Sequence, residues 1–276
     1  MNPEFLREGV ALHDFLNPDR IVIGEIDKKS GDILENLYSS FECPLIRTSL
    51  KTAEMIKYAS NAFLATKITF MNELGNLCKK IGIDVYEVAR GMGYDKRISP
   101  HFLNAGSGFG GSCFPKDVSA LVSLFHTEKE GSKVLDAVLS ANSLQKKRVV
   151  HMLRAKMDLK GKKVAVLGLA FKEGTEDVRD SVSIDVIKEL QESGAHVYAY
   201  DPLANASMKK IFPLVGYVDS PKKALENADA CLIMTAWPEF SELSDSDFSV
   251  MKNKIIIEGR KILDRSIVSS FEGVSW

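Results

Sequence analysis

From Lys163 onward, short apolar runs alternate with segments of helical period, and this alternation constrains the fold more than any other feature. Lys163–Leu167, His196–Tyr200, Val215–Val218, Ala230–Thr235 and Lys254–Ile257 read as strands, with helices over Ser183–Glu192 and Pro221–Asn227. Parallel strands need a crossover that returns the chain to the same sheet end, and a helix usually supplies it. Residues 158–276 are therefore expected to form a doubly wound α/β domain, with its ligand at the carboxyl ends of the strands.

Two other zones precede it. Residues 49–157 are helical. Met55, Ile56, Ala59, Phe63, Ile68, Met71, Leu74 and Cys78 keep a helical period through Thr52–Ile81, a span of about 45 Å. Gly82 ends it, Asp84 starts a shorter helix to Arg90, and a second long helix runs from Lys133 to Met157. Residues 1–48 contain a strand at Arg20–Gly24, a helix capped by Ser30 and running to Phe41, and a strand at Pro44–Arg47. So small a β-α-β piece cannot cover a sheet on both faces. Either it docks on something else or its sheet continues beyond this chain.

The 276 residues suit about two globular domains. A net charge of −1 argues against a nucleic-acid surface. No apolar run is long enough to span a membrane. Met1–Glu8 has neither an apolar leader nor an Arg-rich transit character. Cys43, Cys78, Cys113 and Cys231 are far apart, with no C-x-x-C pair and no metal spacing among the histidines. That favours reduced thiols and a cytoplasmic chain.

Cys113 is the sharpest chemical feature. It follows a glycine-rich run from Asn104 and precedes Phe114-Pro115-Lys116-Asp117, with a helix expected from Asp117 to Phe125. Glycines let backbone approach a ligand closely, and a nearby cation or helix N-terminus favours a thiolate. A free cysteine is more often a small buried hydrophobe; that reading suits the other three. Lys57 and Asn61, at i and i+4, share a helix face. They are either a solvated edge or a pair aimed at one ligand. Gly168–Lys172 follows a strand as a dinucleotide turn would, but without G-x-G-x-x-G. With Lys172 and Arg179 it fits a nucleotide diphosphate equally well, and a plain turn remains open. Glu4 and Glu8 flank Phe5-Leu6 in what could be a solvated terminal turn.

Residues 2–9 (NPEFLREG), 17–24 (NPDRIVIG), 53–65 (AEMIKYASNAFLA), 102–117 (FLNAGSGFGGSCFPKD), 168–181 (GLAFKEGTEDVRDS) and 200–202 (YDP) together resemble the nucleotide-sugar 6-dehydrogenases of the UDP-glucose/GDP-mannose dehydrogenase family. The likeness covers essentially the whole chain, and the 102–117 motif is highly specific. It implies an α/β architecture: a β-α-β remnant of an NAD-binding domain at 1–48, a central helical dimerisation domain at 49–157, and a Rossmann-like parallel-sheet UDP-binding domain at 158–276. It also implies an NAD-dependent, two-step oxidation of a sugar C6 alcohol to the acid, through a thiohemiacetal and a thioester on Cys113.

Residue roles follow from the same likeness. Lys57 and Asn61 would stabilise charge on oxygen or hold water, Asp117 would move a proton, and Glu4 would assist hydrolysis. Phe5, Leu6 and Glu8 would line the substrate pocket. Phe102, Leu103, Asn104, Ala105, Gly106 and Gly110 would hold the sugar and diphosphate, with Phe171, Lys172 and Arg260. Lys116 and Arg179 would face NAD, and Arg97 would reach the site of a second copy, in a homodimer built on helix 52–81. The motif wording favours UDP-glucose over UDP-N-acetylmannosamine or GDP-mannose. Family members open with a G-x-G-x-x-G turn that this sequence does not contain. Weak or no NAD binding by this chain alone is therefore expected, and a non-catalytic nucleotide-sugar-binding module is the alternative.

Overall fold

The computed structural model describes residues 1–276. The chain opens with α1 (Ala11–Leu16), β1 (Ile21–Glu25), α2 (Lys28–Leu37) and β2 (Leu45–Ser49). β1 and β2 pair in parallel, Val22 opposite Ile46. This piece packs on the helical layer that follows it: Gly24 lies so close to α3 (Leu50–Ile81) that an added Cβ would sit 2.7 Å from the Ala53 Cβ. α2 begins earlier than expected, because Asp27 caps it by accepting from the Ser30 N–H, and it stops at Leu37 rather than Phe41. Ser30 is the other half of that capping box, not the cap.

α3 starts at Leu50 because the Ser49 hydroxyl accepts from the Thr52 N–H, and it ends where Gly82 turns left-handed at φ 73°. Small residues line its inner face. Ala62 and Ala65 pack with Phe109, Val118, Leu121 and Val138 in one core. One turn further on, Met71 and Cys78 pack with Val85, Ala89, Leu103 and Ala105 in another. α4 (Val85–Gly93), α5 (Phe114–Thr127) and α6 (Lys133–Arg154) complete this layer. Leu103, Ala105 and Phe109 thus anchor the glycine-rich loop in two helical cores. α5 begins at Phe114, not Asp117: Cys113 is its N-cap and Pro115 lies in its first turn. α6 ends at Arg154, three residues before Met157.

The rest is β3 (Lys163–Leu167), α7 (Val182–Glu192), β4 (His196–Tyr200), α8 (Asn205–Ile211), β5 (Gly216–Tyr217), α9 (Pro221–Leu225), β6 (Ala230–Ile233), α10 (Pro238–Ser241), α11 (Asp245–Phe248), β7 (Ile256–Glu258) and β8 (Glu272–Gly273). The six strands form one parallel sheet in the order β5-β4-β3-β6-β7-β8. This is the doubly wound nucleotide-binding order. β3 and β6 are nearly all buried, as strands covered on both faces must be. The chain reverses direction across the sheet between β3 and β6, and the crevice at their carboxyl ends is the switch point. There Gly168, at φ 92°, abuts the Thr235 backbone, and the Thr235 hydroxyl donates to the Ala170 carbonyl. No helix is long and apolar enough to cross a membrane.

Candidate active site

Cys113 is exposed, whereas Cys78 and Cys231 are buried and Cys43 is half-buried rather than fully inside. Cys113 stands at the N-cap of α5, beside the helix end whose first N–H groups have no intrahelical partner, without a side-chain capping bond of its own. Lys116, one turn along, donates to Asp117 Oδ1 at 2.7 Å. That bond raises the Lys116 ammonium above its ordinary value. Asp117 is almost fully buried, and its other oxygen accepts from Asn61 Nδ2 at 2.6 Å. α3 and α5 are thus tied beside the cysteine by an Asn–Asp–Lys chain. One turn earlier on α3, Lys57 donates to Glu4 Oε1 at 3.0 Å and to the Glu4 carbonyl at 2.6 Å. The Glu4 carboxylate also accepts from the Leu6 N–H, and the Arg20 guanidinium stacks 3.9 Å over the Phe5 ring. The Glu4–Leu6 turn is therefore tied to α3, although the Glu4 side chain stays 55% exposed.

The loop from Phe102 to Gly111 forms the floor. Phe102, at φ 63°, packs its ring edge on Phe114. The Tyr86 hydroxyl donates to the Ala105 carbonyl, and burial raises that phenol well above its ordinary value. Arg260 donates to the Gly108 carbonyl at 2.9 Å, while the Ser107 N–H donates to the Gly259 carbonyl. Burial lowers the Arg260 pKa. Only glycine suits Gly110, where a Cβ would strike the Asp180 carbonyl oxygen. Gly111, at φ 84°, lies beneath the Phe171 ring and donates to the Arg179 carbonyl. Three buried N–H groups of this loop, those of Leu103, Ala105 and Gly108, donate to no protein acceptor.

The opposite wall joins the first segment to the sheet. Lys172 Nζ donates to the Glu8 carbonyl, and the Thr175 hydroxyl donates to Glu8 Oε1 at 2.8 Å. Arg179 makes a bidentate pair with Asp177, Nε to Oδ1 at 3.0 Å and Nη2 to Oδ2 at 2.6 Å. Burial alone would raise Asp177, yet the Arg179 hydrogen bonds outweigh it and hold the carboxyl low. Arg179 and Lys116 both lie within electrostatic reach of Cys113.

Most sequence candidates are thus linked by contacts, Glu4 to Lys57, Asn61 and Lys116 to Asp117, Glu8 to Lys172 and Arg260 to Gly108, whereas Arg97 stands apart. It pairs with Asp95 at 2.7 Å, its side chain is 89% exposed, and it bonds to none of the others. Lys57 and Asn61 share a face but bond to different carboxylates. The sequence reading missed Arg20, Thr175 and Asp177. Only Asp177 carried a signal, an aspartate two residues before a candidate arginine. The Asp201 carboxylate, which follows β4 where a ribose-binding acid would stand, is buried and filled by five donors: the N–H groups of Leu169, Ala170, Leu203 and Ala204, and Trp237 Nε1.

A complete doubly wound sheet beside a cysteine-centred cleft is the layout of a nucleotide-binding α/β protein. The chain belongs to the UDP-glucose/GDP-mannose dehydrogenase family: its NAD-binding-domain model matches residues 1–42, its central-domain model 51–144 and its UDP-binding-domain model 165–265. The chain is similar to the UDP-glucose 6-dehydrogenase AglM of Haloferax volcanii, 46% identical over 270 residues, covering 96% of this chain and 63% of that protein. Among solved structures it is similar to a UDP-glucose dehydrogenase from Pyrobaculum islandicum, 41% identical with TM-score 0.94 over 100% of this chain and 63% of that one. A UDP-D-ManNAc dehydrogenase from Pyrococcus horikoshii is 29% identical, with TM-score 0.84 over 99% of this chain and 64% of that one. The chain spans 57% of the length of one relative and 64% of another.

Proposed function

We propose that this chain carries the nucleotide-sugar site and covalent centre of an NAD-dependent nucleotide-sugar 6-dehydrogenase that converts UDP-glucose to UDP-glucuronate. The observation that carries this reading is Cys113, exposed at a helix N-cap, faced by Lys116 and Arg179 and flanked by the Asn61–Asp117 and Lys57–Glu4 pairs. Buried backbone N–H groups are almost always paired. The unpaired ones at Leu103, Ala105 and Gly108 suit the acceptor oxygens of a sugar or diphosphate. Higher identity to proteins named for UDP-glucose than to the UDP-D-ManNAc enzyme supports the choice of sugar.

Oxidising an alcohol to an acid requires two oxidations and the entry of one water, and a nucleophilic cysteine lets the intermediate acyl stage be held on the protein. The dinucleotide, when bound, supplies the hydride acceptor for each oxidation. Lys116 and Arg179 fit it: both are exposed cations on the Cys113 side, and Asp177 fixes the guanidinium plane. The Cys113 thiolate adds to the C6 aldehyde; a C–S bond forms and the carbonyl oxygen becomes anionic. Lys57, aimed by Glu4, and Asn61, aimed by Asp117, stabilise that oxygen. At the thioester, water adds to the acyl carbon and gives its proton to Asp117, with Glu4 assisting. The C–S bond then breaks, and Cys113 leaves as thiolate. Phe5, Leu6 and Glu8 line the pocket, Phe102–Gly106 and Gly110 hold the sugar and diphosphate, and Phe171, Lys172 and Arg260 close around the nucleotide.

Arg97, free of this cleft, acts on the site of a second copy. Phe63, Phe70, Leu77 and Ile81 form an exposed apolar stripe along α3 and build that homodimer. The four free cysteines are compatible with a cytoplasmic location. Incubating the chain with UDP-glucose and NAD⁺ and following NADH tests the enzyme reading. Calorimetry with UDP-glucose, UDP and NAD⁺ separates turnover from binding alone.

A further inference from the structure

The glycine-rich loop is held from beneath by three buried amides. Asn142 on α6 both accepts from the Phe109 N–H and donates to the Phe109 carbonyl. Gln145, one turn along, donates to the Gly106 carbonyl at 2.6 Å and to the Ser275 hydroxyl. Asn72 on α3 accepts from the Gly106 N–H at 2.8 Å. Asn142 and Gln145 are well satisfied. Asn72 is not: it is 2% exposed, and its Nδ2 has no partner within the protein.

A buried NH₂ without an acceptor is costly. Here that cost offsets what Asn72 gains by accepting from the Gly106 N–H, so stability alone gives little reason for an asparagine. The one thing Asn72 does is turn the Gly106 N–H downward into α3 and so fix the peptide plane. The N–H groups of Ala105 and Gly108, one residue before and two after Gly106, donate to no protein acceptor. We infer that Asn72 is a positioning residue: through Gly106 it sets the backbone donors of the loop for the sugar nucleotide. This rests on the reading that the loop receives that ligand.

The physical balance gives a clean test. Asn72→Leu keeps the branched heavy-atom shape, removes the unpaired Nδ2, and leaves the Gly106 N–H unpaired instead. One orphan replaces another, so the thermal midpoint is expected to stay within about 4 °C. Loop position is lost nonetheless. Calorimetry on the full chain should show UDP-glucose binding weakened about tenfold or more, and UDP, which keeps the diphosphate but lacks the sugar, weakened by a smaller factor. Asn72→Asp keeps the acceptor for Gly106 and should recover UDP-glucose binding to within about threefold. Hydrogen exchange of the 104–111 segment, read without ligand, should be about tenfold faster in Asn72→Leu and near native in Asn72→Asp.

Native exchange and native UDP-glucose affinity in Asn72→Leu would overturn the inference. So would equal weakening of UDP and UDP-glucose together with a large fall in melting midpoint, which marks a purely structural role. If the unaltered chain bound neither nucleotide, the functional reading would fail. The exchange measurement would still decide whether Asn72 fixes the loop.

Discussion

Asp117 sits between Asn61 and Lys116 with both oxygens engaged, so its removal acts on two neighbours at once. Asp117→Ala leaves the Asn61 amide without its acceptor in a buried site, at a cost of about 1–3 kcal/mol. A lowered denaturation midpoint together with lost turnover is expected. Cys113→Ala has a different signature, because the thiol is exposed and makes no close internal bond. It should abolish turnover, keep the melting midpoint, and leave the UDP-glucose Kd within about threefold of native. Full turnover in that variant would refute the nucleophile assignment. Cys113, Lys57 and Asn61 were legible in the sequence because residue type and spacing expose them. Arg20, Thr175 and Asn72 were not, because their meaning lies in partners from distant segments.

Among the elements, the glycine-rich loop is fixed to the 177–181 turn at Gly110, where a Cβ would collide with the Asp180 backbone. Gly110→Ala should force the two apart, destabilise the fold by about 1–3 kcal/mol, and weaken nucleotide-sugar binding more than Cys113→Ala does. Glu272, just before the chain's last residues, bonds Lys79 on α3 and Lys156 beyond α6. Burial works to raise its pKa, but the two lysines outweigh it and the net shift is downward. A carboxylate with a lowered folded-state pKa adds stability above its ordinary value of 4.5, lost as pH falls through the folded value. Glu272→Gln should therefore lower the melting midpoint at neutral pH, by no more than about 1 kcal/mol for a part-exposed pair. Its difference from the native chain should shrink as acidity increases below pH 4.5. Long periodic elements such as α3, α6 and β3 were readable from the sequence. The short α1, α8, α10, α11 and β8 were not, since segments of that length owe their form to tertiary packing. The start of α5 was misplaced because Cys113 caps it without a side-chain hydrogen bond, so no Ser or Asp marks the boundary.

On the scale of the whole molecule, α3 connects everything: β1 on one side, the glycine-rich loop and the Ser275 region on another, and an exposed stripe of Phe63, Phe70 and Leu77 on a third. Phe70→Glu should put a charge in the middle of that stripe and shift a dimer to monomer in light scattering, with the fold intact by circular dichroism. An unaltered chain that is strictly monomeric would contradict a site shared through Arg97. The parallel sheet was legible as alternation. Its strand order was not, because the order depends on which face each crossover helix takes. The central claim is that Cys113 lies inside a nucleotide-sugar site, and alkylation tests it most directly. Among the four free thiols, Cys113 alone is exposed. Saturating UDP-glucose should slow its reaction with iodoacetamide about tenfold or more, while Cys43 reacts at an unchanged rate. An unchanged Cys113 rate at saturating UDP-glucose would contradict the account.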